Sequence, residues 1–171
     1  MGSTINQEGD FDCEITHRIG AAWLNRRKVT GVLCDRKLSN GLKGRVYKTV
    51  VRPAMLYGAE TWAVKKTHEN RMVVAAMKML RWSFGVTRRD RIRNEVIRDR
   101  TKVTEIAKKV EDRRLKLYGH VQRKDDKYVG KRVDTLEVEG KRNRGGPKKK
   151  WLNCINQDLR EKALSGVEVH D

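Results

Sequence analysis

Met72, Ala75, Ala76, Met79 and Leu80 form an apolar stripe at the three-and-four spacing of a helix that buries one face. Four further segments repeat it. Phe11, Ile15, Ile19, Ala22 and Trp23 form one, with Glu14, Arg18 and Arg26 largely on other faces. Leu42, Val46 and Val50 form the next, then Val103, Ile106, Val110, Leu117 and Val121, and last Trp151, Leu152, Ile155 and Leu159. Strand-like alternation, imperfect, occurs only between Tyr128 and Glu139, where Val133, Thr135, Leu136 and Val138 suggest a short hairpin or extended arm. The chain is therefore mainly α: a small helical bundle, a basic linker and a C-terminal helix. With 171 residues and 37% hydrophobic content, it can bury one modest core beneath much solvated helix surface.

Local signals set the expected boundaries. Asp10 and Ser39 cap helices, Thr67 caps the Met72 helix, and Gly85 stops it. Gly31 marks a loop after Lys28, and Pro53, lacking an amide donor, kinks or ends the helix that approaches it. Asp90 is expected to cap a short helix with Ile92, Val96 and Ile97 inward and Arg91 and Arg98 outward on one exposed face. A longer helix runs from near Thr101 to about Arg123, interrupted late by Gly119. Ser165 to Asp171 reads as a frayed end. No internal repeat is visible.

Lys and Arg number 40 against 22 acids, a formal net charge of +18, which is the footprint of a protein that meets a polyanion. Two concentrations stand out. Arg88, Arg89, Arg91, Arg93, Arg98 and Arg100 form the first, and Lys141, Arg142, Arg144, Lys148, Lys149 and Lys150 the second. Arg offers phosphate a planar fork and Lys a mobile point charge, and neither fixes base identity without groove or stacking geometry. The second run also suits a nuclear localisation signal.

Other chemistry is poorly supported. Cys13, Cys34 and Cys154 are isolated, without the Cys-x-x-Cys spacing of a zinc knuckle, and an odd count argues against a disulfide framework, so a reduced, intracellular protein is expected. His17, His68, His120 and His170 are scattered and read as solvated or locally bonded. No apolar run approaches the ~20 residues of a membrane span. Asp125 and Asp126 are the only adjacent aspartates, flanked by Lys124 and Lys127, and no third carboxylate accompanies them for two-metal chemistry. Arg144-Gly145-Gly146-Pro147 lacks the Walker pattern, and no nucleophile motif is present. No cofactor or metal is expected.

Several strings are too particular for generic helices: Gly2-Ser3-Thr4-Ile5, Glu14-Ile15 with Arg18-Ile19, Leu56-Tyr57-Gly58 through Thr61-Trp62, Leu80-Arg81, Asp90-Arg91, Leu115 to Arg123, and Lys141-Arg142 to Trp151-Leu152. In this order they resemble the region that follows the polymerase palm in LINE-type non-LTR retrotransposon reverse transcriptases. The resemblance implies a residual end of the palm's primer grip at 1–9 and a helical thumb-like and post-thumb region at 10–124. A basic extended or flexible segment at 125–150 and a C-terminal helix with frayed tail at 151–171 follow. It implies contact with RNA, DNA or an RNA/DNA hybrid through phosphates. The palm's catalytic carboxylates have no counterpart, so this chain is expected to bind rather than polymerise. Two alternatives stay open: a retroelement relic, and a helical module whose exposed apolar faces dock a protein. An intracellular, nuclear setting is compatible with each.

Overall fold

The computed structural model describes residues 11–134 and 149–162, and within them every regular element is helical. In chain order these are α1 (Asp12–Lys28), α2 (Thr30–Cys34), α3 (Asn40–Val46), a π turn (Tyr47–Val51) and α4 (Arg52–Met55). A 3-10 turn (Ala59–Thr61) leads to α5 (Lys66–Ser83), α6 (Asn94–Thr101), α7 (Ile106–Gln122), α8 (Val129–Asp134) and α9 (Trp151–Glu161). The proposed caps and tails at Asp10, Thr135 to Lys148 and Ser165 onward lie outside the described residues.

Helix α5 is the central strut. Met72, Ala75, Ala76, Met79 and Leu80 are all buried, joined by Met77, because α1, α2, α6 and α7 all pack against the helix. Each such Met or Leu contributes about 1.5–3 kcal/mol of apolar transfer. Ser83, the polar residue where the stripe should continue, is buried by returning its hydroxyl to the Met79 carbonyl at 3.0 Å. Gly85, at φ +64°, ends the helix as expected. Thr67 is not the cap: the helix begins at Lys66, and the His68 ring accepts from the Lys65 amide through Nδ1 at 3.4 Å.

Helix α1 buries Ile15 and Ala22, but also Glu14, Arg18 and Arg26, which the periodicity had turned away from the core. Partners explain the difference, since a buried charge is tolerated when paired. Arg18 Nε lies 2.6 Å from Glu14 Oε1 one turn away, and its guanidinium stacks on Tyr57 at 4.5 Å. Arg26 lies 3.1 Å from the centre of the Trp82 ring. Gly31, expected in a loop, sits inside α2, which follows α1 after the single residue Val29.

Ser39 caps α3 by accepting from the Leu42 amide at 3.3 Å. The buried side of α3 is rotated from the expected one: Lys43 and Gly44 are inside, while Leu42 is 39% exposed. Lys43 is buried because its ammonium donates to the Ser83 carbonyl at 3.2 Å, capping the C-terminus of α5. Gly44 lets α3 touch the end of α6; a Cβ there would lie 1.9 Å from the Thr101 carbonyl oxygen. Pro53 does not end the helix cleanly. Tyr47–Val51 widens into a π turn before α4, the local unwinding that relieves the clash of a proline ring with the preceding turn. Thr49 Oγ1 donates to the Arg45 and Val46 carbonyls, and Asn25 Nδ2 to the Val50 carbonyl, while the buried Tyr47 hydroxyl at the start of the turn has no hydrogen-bond partner among the described residues.

Asp90 does not cap α6, which starts at Asn94. The long helix expected from near Thr101 begins later, at Ile106, because Thr101 still belongs to α6, which Lys102 closes in the left-handed conformation (φ 53°). α7 then runs unbroken through Gly119, burying Ile106, Val110, Arg114, Leu115 and Val121, with Leu117 only half-buried. The expected hairpin or arm is helical over Val129–Asp134.

The Leu56–Val64 string is where the C-terminal helices attach. Gly58, at φ +73°, turns the chain into the 3-10 turn, which packs on α7. Arg113 Nη1 donates to the Leu56 carbonyl at 2.7 Å, Trp151 Nε1 to Glu60 at 2.8 Å, and Cys154 Sγ to Val64 at 3.7 Å. The Trp151 ring also meets Tyr118 with centroids 6.2 Å apart.

Candidate nucleic-acid interface

The first arginine cluster occupies the connection from α5 to α6 and α6 itself. Arg81, in the last turn of α5, holds this connection: its guanidinium donates to Thr87 O at 3.4 Å, and to Ile92 O and Asn94 Oδ1 at 2.7 Å each. Asp90 closes the turn by accepting from the Thr87 amide at 2.6 Å and hydroxyl at 2.9 Å. Those Thr87 hydrogen bonds hold the Asp90 carboxyl below its ordinary pKa, so it stays ionised as a brace. Arg91 takes a positive φ of 50°. Arg88, Arg89, Arg91 and Arg93 are thereby presented to solvent from a braced loop, with Arg100 exposed on α6.

Arg98 behaves differently. Its side chain is 18% exposed and pairs with Glu95 at 3.1 Å and Glu105 at 3.7 Å, which joins α6 to the start of α7. The expected shared face of Arg91 and Arg98 is absent, because Arg91 precedes α6 and Arg98 is held by carboxylates.

Beside the loop lies an open cavity of about 300 Å³ lined by Lys78, Arg81, Arg88 and Asn94, with Val73, Val74 and Met77 as its apolar wall. No carboxylate lines it, and among the described residues neither Lys78 nor Arg88 is ion-paired. Sequence reading missed Lys78, Arg81 and Trp82 as site candidates. The available signal was the step of four from exposed Val74 through Lys78 to Trp82, on the side of α5 opposite its buried stripe.

Of the second cluster, Lys141, Arg142, Arg144 and Lys148 lie outside the described residues. Lys149 and Lys150 lead into α9, which packs on α7. Lys149 donates to Gln157 Oε1 at 3.3 Å and borders a cavity of about 250 Å³ where cations and carboxylates mix. Lys150 is exposed. Asp125 and Asp126 face solvent after α7, and Asp126 engages Lys131 at 3.1 Å. Among the described residues no group of three or more His, Cys, Asp or Glu side chains is arranged to hold a metal ion. None of the described helices is long and apolar enough to cross a membrane.

No protein-family model matches the chain, and no solved structure matches it significantly. Among curated proteins the chain is similar to an uncharacterized transposon-derived protein of Caenorhabditis elegans, with 26% identity over 177 residues. The match takes in 99% of this chain and 62% of that protein, so the chain spans less than two thirds of its relative's length. Along almost its whole length, this helical chain is similar to a protein of transposon origin.

Proposed function

We propose that this chain is a nucleic-acid-binding part of a LINE-type non-LTR reverse transcriptase, holding RNA, DNA or a hybrid by its phosphates and not polymerising on its own. The ordered motifs from Leu56 to Trp62 and from Leu115 to Arg123 support the element type, and the transposon-derived relative supports the origin. The observation that carries the binding role is the Val86–Arg93 loop, braced by Arg81 and Asp90 with four arginines turned to water. A fixed array of cations replaces condensed counterions on a phosphate backbone, and their release drives association. The Lys148–Lys150 run adds charge for the same purpose or for nuclear import, which a fluorescent fusion distinguishes.

A salt titration against labelled oligonucleotides tests the role. Affinity should fall linearly on a log–log plot, with a slope near −0.7 to −0.9 per phosphate contacted. Affinity indifferent to salt overturns the reading. Primer extension with Mg²⁺ or Mn²⁺ should give no product. Incorporation that disappears in an Asp125→Ala, Asp126→Ala double variant overturns the non-catalytic part.

A protein-docking role is favoured by one observation, the exposed Tyr128, Val129 and Val133 on and beside α8. It predicts concentration-dependent self-association or capture of a defined partner that a Val129→Ser, Val133→Ser variant loses.

A further inference from the structure

The basic cavity continues along α5 to an aromatic surface that phosphate binding does not use. Trp82 follows Lys78 by one helical turn and is 49% exposed, unusual for so large an apolar ring. One of its faces is taken: the Arg26 guanidinium lies 3.1 Å from the ring centre and is itself buried. Trp23, 5.7 Å from the same guanidinium, and Cys34 Sγ, 3.9 Å from its Nη2, hold Arg26 there. The ring is thus held by a cation against one face, while about half of its surface stays exposed one helical turn from Lys78.

Resting on the nucleic-acid reading above, we propose that Trp82 is a stacking platform for an unpaired base of a single-stranded nucleic acid whose backbone follows Lys78, Arg81 and Arg88. The cavity offers three cations and no carboxylate, so its occupant carries repeated negative charge. The exposed indole surface favours an occupant that also presents a flat π surface. A single strand meets both conditions at neighbouring positions, whereas a duplex keeps its base faces stacked internally. Stacking is tolerant of sequence because every base has such a face. The platform therefore distinguishes unpaired from paired strands without reading sequence.

The test uses the full chain with two probes of equal length and charge, an oligothymidine and its abasic counterpart, at fixed salt. The base-bearing probe should bind roughly 5- to 150-fold more tightly, the range seen when a base-stacking aromatic is removed. Trp82→Ala should abolish that difference while leaving abasic affinity unchanged, and Trp82→Phe should retain part of it. Lys78→Ala with Arg88→Ala, both exposed positions, should weaken the two probes equally and make the salt slope shallower. Equal affinity of the unaltered chain for both probes overturns the platform and leaves phosphate binding standing, and this comparison needs no variant to fold. A preference that survives Trp82→Ala overturns it too, as does a Lys78, Arg88 variant with unaltered affinities. Failure of both probes to bind overturns the platform, and the salt titration against duplex and hybrid oligonucleotides then decides the nucleic-acid reading separately.

Discussion

Arg114 of α7 and Asp158 of α9 meet in a two-point ion pair, Nε to Oδ2 at 2.6 Å and Nη2 to Oδ1 at 2.8 Å, with the arginine side chain 2% exposed. Burial works to lower the guanidinium pKa, but the bonds and charge of Asp158 outweigh it and leave it raised. Arg114 Nη1 has no partner among the described residues, so Asp158 is its main compensation. Asp158→Ala strands a buried cation and should cost about 3–5 kcal/mol in urea unfolding. That is a large share of the ~5–15 kcal/mol typical of a domain. Arg114→Met combined with Asp158→Leu should recover most of it, because an apolar pair of similar volume removes the stranded charge.

Two glycines on helices should respond in opposite directions to the same substitution. Gly44→Ala places a methyl 1.9 Å from the Thr101 carbonyl oxygen, a backbone atom that cannot step aside alone. Separating α3 from α6 should cost about 1–3 kcal/mol. Gly20→Ala, within α1 and with nothing inside 4 Å of the added carbon, should stabilise by about 0.5–1 kcal/mol. Paired urea melts read both signs.

The arginine cluster should divide in two under mutation. Arg88→Ala, Arg89→Ala, Arg93→Ala and Arg100→Ala together leave the melting midpoint nearly unchanged, since exposed positions affect stability little. They make the salt dependence of oligonucleotide binding shallower by up to about one unit for each phosphate no longer engaged. Arg98→Ala does the reverse, lowering stability by removing the links to Glu95 and Glu105 while the salt slope is kept.

Acid should loosen the arginine loop before the core. The folded pKa of Asp90 is depressed by its bonds from Thr87, so its bracing is present above the unfolded value, about 4, and is lost as pH falls through the lower folded value. Amide exchange at Thr87 should accelerate in that range, below the ordinary carboxylate pKa, with the α5 core amides still protected. Asp90→Asn should raise Thr87 exchange already at neutral pH.

The helical class was legible because the stripes in α1, α5, α7 and α9 are local patterns, and because Ser39 through its hydroxyl and Gly85 through its left-handed backbone mark the start of α3 and the end of α5. The burial of Glu14, Arg18 and Arg26 was not, since what permits it is supplied by pairing and by Tyr57 and Trp82, distant in sequence. Lys43 and Gly44 displaced Leu42 from the interior for the same kind of reason: Ser83 and Thr101 are tertiary partners. In the candidate site the run Arg88 to Arg93 was visible as composition. The withdrawal of Arg98 and the addition of Lys78, Arg81 and Trp82 depend on how α5, α6 and α7 lie together.

The three hydrogen bonds that tie α7 and α9 to the Leu56–Val64 string all end on main-chain carbonyls, those of Leu56, Glu60 and Val64, with a longer 4.0 Å ion pair from Arg113 to the Glu60 carboxylate beside them. An acceptor of that kind is carried by every amino acid. A lineage accumulating substitutions without selection on each side chain can therefore exchange Glu60, Thr61 and Ala63, which lie outside the core, and still offer α7 and α9 the same three anchor points, whereas Leu56, Ala59, Trp62 and Val64 are buried. Changes of chain path are different: an insertion, a deletion, or loss of the left-handed turn at Gly58 would shift the anchors relative to one another and release the C-terminal helices together. In a chain similar to transposon-derived sequence, the architecture is thus more tolerant of point drift than of a change in length at this position.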